Sequence, residues 1–351
     1  MATKLQTTTI GSFPKPGYVP VRDWFDASRD ATGMNDPTVT TGYDVSAEHE
    51  PLFVRAAREV LGVQIAAGID VPTDGEVRRE NYIHYHCRHL NGFDFDRLET
   101  RILRDGAYQT DLPAIRGTVS AAQPGYSVHD WKVAQDLCDR PVKATLPGPL
   151  TIMDTTADCH YADRPGLNKV LAETVNAEVL ALAEAGCRYI QVDEPLFARQ
   201  VDDALQFGLE GLERCFHGLP DGVTRVVHMC CGYPEHLDDE TYKKADPDSY
   251  QRLSQAVDEA AFDQLSIEDA HCQNDLALLE RYRAKSVILG AVAVARSRIE
   301  PVEEIADRIS EALEHIDRDR LVIAPDCGLG LLTPDLADAK LRNMCTAATM
   351  V

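Results

Sequence analysis

The chain has 351 residues, with 57 acidic against 35 basic side chains, a net charge of −22, and 44% hydrophobic residues. That charge excludes nucleic acid and anionic membrane surfaces as general partners, and the ordinary apolar fraction allows a large core. No apolar run reaches the roughly 20 residues that span a bilayer, and residues 1–6 lack the apolar stretch of a signal peptide, so a cytoplasmic location is expected.

In chain order, Thr7–Ser12 reads as a first strand and Leu52–Ala67 has helical spacing. Residues 68–72 lead a second strand to Asp74-Gly75-Glu76. The stretch at about 87–130 breaks the pattern with β-like fragments and turn residues, and reads as an irregular insertion or hairpin extension. Strand three follows at 141–146, then a helix at 166–186, strand four at 188–192 and a helix at 201–216. Strand five (223–228), a helix (248–258), strand six (263–267), a helix (274–284) and strand seven (286–290) continue the alternation. A helix opened by Pro301, strand eight (321–324) and a helix at 335–350 complete it. Short strands, apolar on both faces and each followed by a helix, predict an α/β fold: a TIM (β/α)8 barrel with an insertion after the second strand. The expected organisation is one catalytic domain over residues 1–351. A doubly wound open sheet is the competing topology.

Chemistry-bearing residues collect at the predicted strand ends, the rim where a barrel of this kind carries its active site. They are Ser12, Glu76, Asp193, Glu194, His228, Cys230, Glu268, Arg296 and Cys327. His228 and Cys230 stand two apart at a strand end, so imidazole and thiol point the same way. If the strands are barrel neighbours, Glu268 and Cys327 converge on them, and the set suits tetrahedral zinc. Taken singly, each of the ten cysteines is most simply a small buried residue. His84, His86, Cys87 and His89 form a rival cluster, whose plainer reading is a polar loop. Zinc with two thiolates and a carboxylate carries a net negative charge. Such a centre suits holding a substrate thiolate better than activating water. Glu268 is the ligand a thiol would displace. Glu76 and Asp193 could hold an ammonium group beside it. Their plainer roles are an arginine pair for Glu76 and a helix cap for Asp193.

Seven segments together resemble the catalytic barrel of the cobalamin-independent methionine synthase family. They are Thr7–Pro14, Asp74-Gly75-Glu76, Leu146–Thr151, Ile190–Pro195, His228-Met229-Cys230, Ser266-Ile267-Glu268 and Pro325–Leu329. The resemblance implies zinc on His228, Cys230, Glu268 and Cys327, and homocysteine contacts at Ile10, Ser12, Glu76 and Asp193. The chain departs from the family's long members in lacking an additional N-terminal barrel and a recognisable folate segment. Arg296 stands where those members place a histidine thought to protonate the donor. Arg296 is therefore grouped with Asp193 and Glu76 as a catalytic candidate, and Asp326, His84, His86 and His89 are further candidate proton sources.

The leading expectation is a zinc-dependent methyltransferase converting homocysteine to methionine, with methyltetrahydrofolate or a related methyl donor. The alternative is a relative of epoxyalkane:coenzyme M transferases, with Arg296 or Arg298 holding a sulfonate. A third reading is a non-catalytic zinc- and thiol-binding barrel. A homo-oligomer is left open.

Overall fold

Apolar runs bounded by amphipathic helices fold here into parallel strands, because helices on the outside cover one face of each strand and the barrel core covers the other. The computed structural model describes residues 4–22, 37–103, 108–232, 234 and 236–351. Its strands are β1 (Gln6–Thr7), β2 (Leu90–Leu103), β3 (Tyr108–Ala121), β4 (Lys143–Pro147), β5 (Ala157–Asp158), β6 (Tyr189–Asp193), β7 (Thr224–Met229), β8 (Gln264–Ile267), β9 (Ser286–Val292) and β10 (Leu321–Pro325). Seven of them form one parallel sheet in the order β1-β10-β9-β8-β7-β6-β4. The sheet is curled, as in a TIM-like barrel. Isolated parallel bridges Thr8–Val71 and Thr73–Lys143 lie at its two edges.

The register sets up the chemistry. Asp193 lies opposite His228, and His228 lies opposite Ser266. Three strand ends thus deliver a carboxylate, an imidazole and a hydroxyl to one rim. The helices that back the sheet follow from spacing. Helix Glu50–Ala67 buries Phe53, Ala57, Val60, Leu61 and Gln64 on one stripe. It stops at Gly68, which takes a left-handed φ of 108° and returns its N–H to Ile65 O. Val302–Ala312 likewise buries Ile305, Ala306, Ile309 and Ala312. Each fully buried aliphatic side chain contributes about 1.5–3 kcal/mol.

Four expectations change in detail. Within 87–130 the described residues are more regular than expected: β2 and β3 pair antiparallel, as the hairpin extension anticipated, with register shifts at Asn91/Phe93 and Asp94/Glu99, and β5 adds to β3 in parallel. The first strand is shorter than its apolar run. Beyond Thr8 the chain turns onto the second segment, with Phe13 N donating to Gly75 O and Thr73 Oγ1 to Gly11 O. The helix at 201–216 is interrupted by a π turn at Ala204–Gly208. The helix at 274–284 is a 3-10 helix, Leu276–Arg281, capped by Asp275. No helix among the described residues is long and apolar enough to cross a membrane.

Candidate active site

At the β7 and β10 ends, His228, Cys230 and Cys327 are buried with their ligand atoms within 4.8 Å of one another. His228 Nε2 is 3.1 Å from Cys327 Sγ, and the two sulfurs are 3.9 Å apart. His228 Nδ1 meets Ser266 Oγ at 2.9 Å. When Nδ1–H donates to Ser266, the Nε2 lone pair faces the sulfurs, the orientation a metal-ligating histidine needs. Hydrogen bonding from Cys327, helped by His228, holds Cys230 well below the ordinary thiol range. Two soft sulfurs, one with its thiol pKa lowered, and an oriented imidazole fit zinc. Ser266 was not singled out from sequence, although it stands two before Glu268 on the same strand. Ser266→Ala is expected to weaken zinc binding roughly 10–100-fold with the fold intact. Competition against a chromophoric chelator measures this, and an unchanged affinity would remove the orienting role.

Glu268 is placed beside this group, in another set of contacts. One carboxylate oxygen pairs with the Lys244 ammonium, and the other accepts Cys231 N–H at 3.1 Å. Burial pushes the Glu268 carboxyl upward, and Lys244 opposes it. Its backbone N–H donates to Tyr250 Oη at 3.1 Å. Glu268, His271 and Asp326 also lie within 4.8 Å of one another, but His271 and Asp326 are taken up by hydrogen bonds with each other and with nearby backbone. Ala295 N–H donates to His271 Nε2 at 3.1 Å, so the ring proton sits on Nδ1 and is given to Asp326 at 2.7 Å. Neither ring nitrogen is left for a metal. Asp326 also accepts the backbone N–H groups of Asp269, Ala270 and His271. Burial works against its charge, and the His271 bond and these N–H groups outweigh it, holding the carboxyl low. Asp326 is therefore an ionised anchor and a poor proton source.

On the other side of the rim, Asp193 accepts from Gln191 Nε2 at 2.7 Å, and the same amide nitrogen donates to Ile10 O at 2.7 Å. Burial lifts Asp193 to about 7. Its neighbour Glu194 takes the helix-capping role instead, accepting Leu150 N–H and Thr151 N–H. Glu76 accepts from Thr145 Oγ1 at 3.0 Å and lies 3.5 Å from Arg79. Its backbone is left-handed at φ 57°, a strained state for a residue with a side chain, of the kind that gathers at functional sites. Burial also raises its carboxyl. Ser12 stacks against the Cys327 loop: a Cβ on Gly328 would lie 2.3 Å from Ser12 Oγ, and Ser12 O accepts Leu329 N–H at 2.7 Å. Beneath Asp193, Lys143 Nζ is buried without a hydrogen-bond partner, and burial lowers it to about 7. Burial raises the Tyr82 hydroxyl well above its ordinary range, and the charges of Asp193, Cys230, Cys327 and Glu76 push the same way. Gln191, Thr145, Lys143 and Tyr82 went unnoticed in the sequence. Gln191 had a signal, two before Asp193 on one strand face.

Arg296 is exposed, and its guanidinium reaches His271 O at 3.4 Å. It lines a cavity of about 690 Å³ with Lys244, His271, Cys272 and Arg298. Arg298 is held by Glu304. The histidine cluster has other work. Burial lowers His84 to about 4 and His86 to about 3. His86 Nδ1 meets Tyr126 Oη at 2.6 Å, and His89 stacks on the Tyr126 ring at 4.0 Å. These rings are neutral packing groups at the base of the ribbon.

The model of the family described as "Cobalamin-independent synthase, Catalytic domain" matches residues 5–350. The chain belongs to the cobalamin-independent methionine synthase family. Among its relatives, the methionine synthase of Sulfurisphaera tokodaii is 27% identical over 99% of this chain and 92% of its own length. That of Saccharolobus islandicus is 28% identical over 99% of this chain and 95% of its own. Among solved structures, a B12-independent methionine synthase from Shewanella sp. W3-18-1, in complex with selenomethionine, superposes with a TM-score of 0.85. It is 31% identical, covering 99% of this chain and 98% of that one. A putative vitamin-B12 independent methionine synthase from Listeria monocytogenes, at 17% identity and TM-score 0.71, shares the fold.

Proposed function

We propose that this chain is a zinc-dependent methyltransferase that makes methionine from homocysteine. The observation that carries it is the strand register: Asp193 at the end of β6 lies opposite His228 on β7, so the carboxylate stands on the same rim as the His228–Cys230–Cys327 group. His228, Cys230 and Cys327 would hold the metal, with Glu268 as a fourth ligand. Zinc bound there supplies a Lewis acid that keeps a substrate thiol as thiolate near neutral pH.

The rest is done by this chain's own side chains. Asp193 and Glu76 take the substrate ammonium between them, fixed by Gln191 and Thr145. The Ile10–Ser12 turn lies beside Asp193 and the Cys327 loop, where it can receive the substrate carboxylate. The sulfur then attacks the methyl carbon. The new S–C bond forms as the methyl-to-donor bond breaks, and the donor leaves with that electron pair and takes up a proton. The cavity lined by Lys244, His271 and Arg296 is the donor's approach. Arg296 would act there on an anionic donor rather than on the amino acid.

The catalytic unit is the whole chain as one cytoplasmic domain. The bridges Thr8–Val71 and Thr73–Lys143 support reading residues 71–73 as closing a TIM barrel, with the β2–β3 ribbon as an insertion after the second strand.

Zinc-edge X-ray absorption of the protein, with homocysteine and in parallel with coenzyme M, tests this. A gain of one sulfur neighbour with homocysteine alone is expected. The gain with coenzyme M alone would transfer the assignment to the epoxide-opening class. Full zinc with no gain from either thiol would end the mechanism. Thiol binding with no turnover on any methyl donor would favour a binding barrel.

A further inference from the structure

Glu268 has one partner for each carboxylate oxygen, and neither belongs to the His228–Cys230–Cys327 group. One is Cys231 N–H, a single residue from Cys230. The other is the Lys244 ammonium. The Glu268 side chain is fully buried, whereas Lys244 is 17% exposed and opens onto the neighbouring cavity. Lys244 is not a loose surface cation. Its loop is fastened to the end of β7: Ala245 N–H donates to Cys231 O at 3.1 Å. Arg199 clamps Cys231 O, Lys243 O and Tyr242 Oη. The Glu268 backbone is fixed as well, by Tyr250 Oη to its N–H and by Asn274 to its carbonyl. Only the carboxylate end is free to change partners.

Charge makes that change informative. A dication with two thiolates and a carboxylate has the same net charge as one with three thiolates. When a substrate thiolate enters, the displaced carboxylate would be buried alone unless a cation receives it, and a lone buried charge is strongly unfavourable. Lys244 is the cation the fold supplies, already in contact and on the cavity side.

Building on the zinc methyltransferase assignment, we propose that Lys244 is a positioning residue that receives the Glu268 carboxylate when the substrate thiol replaces it on the metal. The lysine competes with the metal for the fourth ligand. It weakens that ligand in the resting enzyme and stabilises it once released. The pair makes the fourth position exchangeable while the His228–Cys230–Cys327 bonds stay.

The test is Lys244→Met in the full chain, with zinc affinity read by chelator competition and ligand count by X-ray absorption. Without its competitor Glu268 should hold zinc tighter, by about 10-fold, within the range that groups around a metal site exert. Homocysteine should bind at least about 10-fold more weakly, and zinc should keep its oxygen neighbour when the thiol is added. Lys244→Arg should restore wild-type behaviour. In a Glu268→Ala background, Lys244→Met should leave zinc affinity unchanged, since the two act as a pair. Unchanged or weaker zinc binding in Lys244→Met, with normal thiol exchange in the wild type, would overturn the Lys244 role alone. Failure of the wild type to bind zinc, or to gain sulfur from homocysteine, would overturn both this role and the methyltransferase assignment.

Discussion

Cys327→Ser should lose zinc and methyl transfer together while the barrel stays folded. The sulfur lies 3.1 Å from His228 Nε2 and 3.9 Å from Cys230 Sγ, so its removal takes a donor from the centre of the group. A serine hydroxyl is nearly the same size, which leaves no cavity to destabilise the strand end. It is, however, a hard, protonated oxygen that soft zinc does not prefer. The affinity loss should exceed the roughly 10–100-fold expected for an outer partner such as Ser266. Zinc content, far-ultraviolet circular dichroism and turnover on one preparation decide it. A full zinc equivalent in the variant would remove Cys327 from the ligand set.

Asp193→Asn should cost homocysteine far more than it costs a thiol lacking the amino group. Breaking a buried ion pair by removing one partner costs about 3–5 kcal/mol, which is more than 100-fold in affinity. The pH dependence has a definite sign. Burial raises Asp193 from 3.8 to about 7, so the free folded enzyme carries a proton there that the unfolded chain has already released. Ammonium binding needs the ionised form, so homocysteine affinity should strengthen as pH rises through about 7, relative to the des-amino thiol. Stability runs the other way. The folded state holds more protons between the two values, so this group's contribution falls as pH rises from about 4 to about 7. Asp193→Asn should therefore gain on the wild type across that window in urea unfolding, and lose the pH-dependent difference between the two thiols. Equal losses for both thiols would remove the ammonium-binding role.

Much of the frame was legible because parallel strands announce themselves as short apolar runs. Arg188–Val192 was read one residue early against β6, and Leu321–Ala324 one residue short of β10. Period-two spacing placed His228 beside Cys230. The same rule, applied to Gln191 before Asp193 and Ser266 before Glu268, would have found both supporting residues. The second strand was read at residues 68–72; in the structure the extended backbone there makes isolated bridges, Thr8–Val71 and Thr73–Lys143. Lys244 was illegible for a different reason. In sequence it is one of two adjacent lysines in a loop, and only the fastening of that loop to Cys231 carries it to Glu268. The roles of Glu194 and Asp193 also depended on which neighbouring carboxylate turned toward a helix start. That is a matter of strand register and close packing around Gly148.

The meeting of Ser12 with Gly328 has a consequence for how the molecule is made. The Ser12 turn packs against the Cys327 loop, over 300 residues later in the chain, so its contacts there form only once that loop has been made. The same delay applies to the sulfur group: His228 and Cys327 are 99 residues apart in the chain. A nascent chain that has exposed His228 and Cys230 therefore still lacks the Cys327 sulfur, which arrives just after β10, the strand that pairs with β1.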